Sequence, residues 1–86
     1  MKVRQIKEVC TARFGDKLVI FNLKNYCSVI LNNTAALVWN FCKKPRSLPQ
    51  IYKFLNSKYK VNLSQVQKDA GNLIRQLEKR ELVVCR

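Results

Sequence analysis

The stretch NYCSVILNNTAALVWNFC, residues 25–42, changes its hydrophobic period halfway along. Its first half, up to Leu31, is rich in β-branched and aromatic residues, whereas TAALVWNFC supplies helix formers and apolar bulk. Two asparagines stand at the junction, and an asparagine side chain accepts hydrogen bonds from the free amides of a first helical turn. A strand over YCSVILN and a helix from Asn33, ending before Pro45, are therefore expected back to back.

Upstream, EVCTARF and KLVIFNL are further β-rich runs, set off by Gly15-Asp16 and by Lys24-Asn25, pairs that tolerate turn geometry. An antiparallel meander follows. KLVIFNL is continuously apolar from Leu18 to Phe21 and suits the centre of the sheet, which leaves YCSVILN as an edge.

Downstream, Leu37, Val38, Trp39, Phe41 and Cys42 are too many apolar residues for one narrow stripe, so the first helix should sit centrally, with Trp39 in the core. Ser47-Leu48-Pro49-Gln50 has the form of a capping box and opens a second helix over 48–59, burying Ile51, Phe54 and Leu55. Asn62 offers the next cap, and Val66, Ala70, Leu73, Ile74 and Leu77 recur at helical spacing before Lys79 and Arg80. LVV at 82–84 reads as a short extended tail. The expected fold is one α+β domain over residues 1–86, winged-helix-like, with a three-stranded antiparallel sheet followed by three helices.

Lysine and arginine total 17 against 5 acids, a formal charge of +12, so an acidic partner is favoured. The basic residues are dispersed, with Lys43, Lys44 and Arg46 the tightest group, which describes a basic surface better than a nucleic-acid tail. MKVRQIKEVC lacks the apolar segment of a secretory signal, and no run reaches the ~20 apolar residues of a membrane span. A cytoplasmic location is expected, and with it thiols at Cys10, Cys27, Cys42 and Cys85, buried by default.

Several chemistries are excluded by what the chain lacks. There is no histidine and no closely spaced cysteine pair, which argues against a metal site. Asp69, Glu78 and Glu81 form no pair with a recognisable nucleophile, and two glycines cannot make a phosphate loop. A non-enzyme without cofactor or metal is expected. Base reading would fall to SQVQKDAG at the start of the third helix, where Asp69 opposes phosphates; a winged-helix nucleic-acid-binding protein stays as the alternative of another class. No helix pairs a broad apolar face with a consistently basic one, so no membrane partner is expected.

Alternation places Tyr26, Ser28 and Ile30 on one face of the edge strand and Cys27, Val29 and Leu31 on the other. Asp69, Leu73, Gln76 and Arg80 follow one another along the third helix at steps of four, three and four. Together with Leu77 these are the candidate site residues. Each has a plainer reading: Leu73 and Leu77 as core, Asp69 as a helix-dipole partner, Arg80 as a C-terminal cap.

The run YCSVILNNTAALVWNF, then a proline-containing break and IYKFLNSKYKVNLSQVQKDAGNLIRQLEKRELV, resembles the PqqD-like family of peptide-binding domains, the precursor recognition elements of ribosomally made, modified peptides. The likeness runs from about Phe14 to Val84 and rests on Leu31-Asn32 with Thr34 to Trp39, on Ile51, Leu55 and Tyr59, and on Asp69, Leu73 and Leu77 before Leu82. Asn33 stands where that family often has proline, and Glu81 where it commonly has glycine; glutamate enters a left-handed C-cap less easily, so an altered end of the third helix is expected.

The resemblance implies a non-catalytic protein that holds the leader of a precursor peptide as an added strand beside YCSVILN, facing the third helix. An open strand offers a row of unpaired amides and carbonyls to such a guest. The implied partners are a leader peptide, expected to be acidic, and a processing enzyme. That enzyme would be the leader peptidase of a lasso-peptide pathway or, alternatively, a radical-SAM enzyme served by a PqqD-like peptide chaperone. The same open strand could pair two copies, so a homodimer is a further expectation.

Overall fold

The computed structural model describes residues 1–59 and 62–86. The meander is present: β2 (Val9–Phe14), β3 (Lys17–Asn22) and β4 (Ser28–Leu31) form an antiparallel sheet in the order β2-β3-β4, with β3 central. Gly15, at φ 62°, makes the tight turn between Phe14 and Lys17, a conformation glycine takes without a Cβ clash. Three helices follow: α1 (Asn33–Phe41), α2 (Leu48–Lys58) and α3 (Leu63–Lys79).

The helix starts are where side-chain chemistry puts them. Asn32 Oδ1 accepts from the Ala35 amide at 2.8 Å, and Asn62 Oδ1 from Ser64 at 2.7 Å. Ser47 and Gln50 close a full capping box around Pro49.

A second antiparallel sheet adds to the expected architecture. β1 (Lys2–Gln5) lies between β5 (Arg46–Ser47) and β6 (Val83–Cys85), so the chain's first residues join the α1–α2 connection to the extended tail. Val3 is fully buried, paired with Arg46 on one side and Cys85 on the other, and joins the core cluster with Leu82 and Val83. Two-residue β5 is too short to read from sequence, and β1 carries charge at Lys2 and Arg4, which masks its strand character.

Leu18, Ile20 and Leu31 form the sheet's contribution to the core, α1 adds Ala36, Val38 and Trp39, and the later helices add Ile51, Leu55, Val66, Ala70, Ile74 and Leu77. Phe54 is half-buried, stacked on Phe41 at 4.2 Å between centroids, and Arg46 lies over the other side of the Phe41 environment, its Nε donating to the Phe41 carbonyl at 2.9 Å. Arg46 is thus a structural cation rather than a free member of a basic cluster. Among the described residues no helix is long and apolar enough to cross a membrane.

The strand expected over residues 26–32 is shorter. Asn22, 1% exposed, accepts at Oδ1 from the amides of Lys24 and Asn25, while the Tyr26 amide donates to the Asn22 carbonyl. These local bonds curl residues 23–27 into a loop and hold Tyr26 at φ 62°. Tyr26 and Cys27 therefore lie outside β4, and the expected two-residue turn at Lys24-Asn25 is a longer loop.

Candidate peptide-binding groove

β4 has a single strand neighbour, so its far side is an open edge. Which of its backbone groups are free follows from the register. Asn22 N–H donates to the Cys27 carbonyl and Leu23 N–H to the Glu8 carbonyl, so β3 turns even-numbered residues toward β4 and odd-numbered ones toward β2. Val29 and Leu31, opposite Ile20 and Leu18, are then the bonded partners of β3, and Ser28 and Ile30 aim their N–H and C=O groups outward. The side chains alternate in the same rhythm: Leu31 is buried and Val29 half-buried, while Ser28 and Ile30 are exposed.

The sheet's other border, β2, is open too, but it carries Arg13, paired opposite the buried Leu18 and so on the sheet's inward face. A charge in that position is a common way to blunt an edge. β4 carries no charge, and α3 lies alongside it.

Between β4 and α3 runs a groove. One part, of about 460 Å³, has Val29, Ile30 and Leu31 on the strand side and Asp69, Asn72, Leu73 and Gln76 on the helix side, with Asn32, Thr34 and Ala35 at the start of α1 closing one end. A second part of about 500 Å³ shares Val29 and Gln76 and continues to Lys79 and Arg80. Because Asp69 meets the Leu31 end and Arg80 the Val29 end, α3 runs antiparallel to β4, and the groove is acidic at one end and basic at the other.

Helical spacing gathers this lining on one side of α3. Asp69, Leu73, Gln76 and Arg80 occupy one stripe; Val66, Ala70, Ile74 and Leu77 occupy the neighbouring, buried one. Leu73 is half-buried and lines the groove, whereas Leu77 is 1% exposed and packed in the core, so it has no surface to offer there. Asp69 stands beyond the first turn of α3 and is bonded by Gln65 Nε2 at 2.9 Å, so it serves the groove wall rather than the helix start. Asn72, Lys79, Thr34 and Ala35 were not among the candidates. Asn72 and Lys79 fit the same helical stripe, but the two α1 residues reach the groove only because α1 begins at the end of β4.

The basic end is fastened from below. Arg80 is the C-cap of α3; Glu81 N–H bonds the Glu78 carbonyl and Leu82 N–H the Leu77 carbonyl, the two bonds of a Schellman motif. Its left-handed residue is Glu81, at φ 59°, so the helix ends as it would with glycine, with the strain retained. Asn22 Nδ2 donates to the Arg80 and Glu81 carbonyls at 3.3 and 3.1 Å, tying the β3–β4 loop to this helix end.

Four free thiols are present. Cys10 and Cys27 are exposed, contrary to the expectation that all are buried, because Cys10 lies on the outer face of a border strand and Cys27 in the loop. Burial pushes the Cys42 thiol up to about 11 and raises that of Cys85.

Comparison with curated proteins gives no match. Among solved structures, "TbiB1 in Complex with the TbiA(beta) Leader Peptide" superposes with a TM-score of 0.84 at 19% identity, covering 96% of each chain. "Lasso peptide synthetase B1 complexed with the leader peptide" superposes with a TM-score of 0.82 at 22% identity, over 99% of this chain and 100% of that one. These likenesses show the same fold. The family model for coenzyme PQQ synthesis protein D matches residues 17–83, from the central strand to the last one, and the chain belongs to the PqqD family.

Proposed function

We propose that this protein is a non-catalytic leader-peptide-binding protein: it captures the leader of a ribosomally made precursor as a strand added to β4 and presents the remainder to a processing enzyme. The observation that carries this reading is the uncharged open edge at Ser28 and Ile30, set beside a groove that the neighbouring helix lines. The two structural neighbours are each in complex with a leader peptide, which supports the same assignment.

The peptide-binding residues in this proposal are Ser28, Val29, Ile30 and Leu31 on β4 and Asp69, Leu73, Gln76 and Arg80 on α3, joined by Asn72 and Lys79. Ser28 and Ile30 supply backbone bonds, and Val29, Leu31 and Leu73 supply the apolar floor. Tyr26 and Cys27 flank the entrance, and Leu77 supports the floor from the core. A net charge of +12 favours an acidic leader and speeds its encounter. The proposed enzyme is the leader peptidase of a lasso-peptide pathway, a choice supported by the likeness to a lasso peptide synthetase B1 complexed with the leader peptide.

Titrating the protein with an acidic leader-like peptide and with duplex DNA, each at rising salt, tests this. Peptide binding that survives salt and shifts the Ser28 and Ile30 amides supports strand addition. Binding confined to DNA, falling steeply with salt, points to bulk charge and sinks the proposal.

A further inference from the structure

The groove's three zones lie in a fixed order along α3: Asp69 near the Leu31 end of β4, Leu73 in the middle, and Lys79 with Arg80 near Val29. From Asp69 to Leu73 is four helical residues, about 6 Å of rise, which matches the ~6.6 Å between residues i and i+2 of an extended strand. From Leu73 to Lys79 is about 9 Å, and long helical side chains lean back toward the helix N-terminus, so the two cations close most of the difference from a second two-residue step.

We infer that the segment recognised here is a five-residue extended motif: a cationic side chain, then a large apolar one two residues on, then an acidic one two residues beyond that. Read from its N-terminus, the guest runs antiparallel to β4, in the sense of α3, which keeps the sheet wholly antiparallel. The cation meets Asp69, the apolar side chain enters between Leu73 and Val29, and the acid meets Lys79 and Arg80. The two intervening residues face away from the groove, where β-branched types suit an added strand. This deepens the proposed function and rests on strand addition at β4.

Among the described residues, Asp69 is the only acid lining the groove, and Gln65 holds its carboxylate in place. That makes the acidic end a specific contact within a protein whose overall field is basic. Bulk charge alone would favour acids along the whole guest; the groove asks for a cation at one end.

Three end-blocked peptides test the order: TKTLTET, its charge-reversed counterpart TETLTKT, and TKTSTET. They are titrated into ¹⁵N-labelled protein to millimolar concentration, with amide shifts read at Ser28 and Ile30. TKTLTET should bind about 5- to 10-fold more tightly than TETLTKT at low salt, with the gap closing as salt rises. Serine in place of the central leucine should cost about tenfold. In the variant combining Asp69→Lys, Lys79→Glu and Arg80→Glu, the preference between the two charge orders should invert. Equal affinity for both orders, or an unchanged preference in that variant, overturns the motif while the Ser28 and Ile30 shifts keep strand addition standing. No shift at those amides with any peptide overturns strand addition and the motif with it.

Discussion

Ile30 and Val29 are adjacent, yet proline should act on them in opposite ways. Ile30 N–H points to the open edge, so Ile30→Pro deletes a bond that a guest would accept while leaving the β3–β4 ladder intact. Peptide affinity should fall by at least about tenfold with little loss of Tm. Val29→Pro removes a ladder bond to Ile20 instead, and thermal unfolding should show a destabilised sheet. A second residue-scale test concerns Glu81. Its left-handed backbone carries a side-chain penalty that glycine lacks, so Glu81→Gly should raise stability by about 1 kcal/mol in denaturant unfolding. Asn22 works the other way: Asn22→Ala removes the buried amide that donates to the Arg80 and Glu81 carbonyls and accepts from the Lys24 and Asn25 amides, and should cost about 1–3 kcal/mol.

At the scale of elements, the contrast between the two sheet borders explains why one is receptive. Each is unpaired, but β4 is uncharged and shares a groove with α3, tied at one end by Asn22 and closed at the other by the start of α1, whereas β2 carries Arg13. Charge reversal at Arg80, on the surface of α3, should weaken an acidic leader several-fold more than a neutral one, and calorimetric titration of both peptides reads the difference. The element-scale thiol is Cys42, closing α1. Its neutral form is favoured by burial, an effect that Arg46 partly offsets. The unfolded thiol ionises near its ordinary 9.0, below the folded value of about 11, so stability is fully present below pH 9.0 and is lost as pH rises toward 11. Tm measured across that interval should fall less steeply in Cys42→Ala than in the parent protein.

Across the whole molecule, 86 residues support one modest core, and Trp39 is its largest fully buried side chain. Trp39→Ala should cost about 3–5 kcal/mol, a large share of the ~4–13 kcal/mol expected of a domain this size, and circular dichroism should show a partly or wholly unfolded chain. The small second sheet draws the two chain ends together, with the Arg86 amide donating to the Lys2 carbonyl at 2.8 Å. Among the described residues, none of this sheet lines the groove.

Local chemistry wrote much of this into the sequence. Asn32, Ser47 and Asn62 cap helices because the bonds they make span two or three residues, and a continuous apolar run marked β3, alternation the faces of β4, and helical spacing the buried stripe of α3. Tertiary structure alone decided the rest. Which β4 amides face outward depends on the pairing phase with β3, which Asn22 fixes by its bonds to residues 24–27 and to the end of α3. Leu73 and Leu77, four residues apart on one helix, part company between groove and core because packing across the chain buries Leu77 fully and leaves Leu73 half-buried on the groove side, a boundary that helical spacing does not draw by itself.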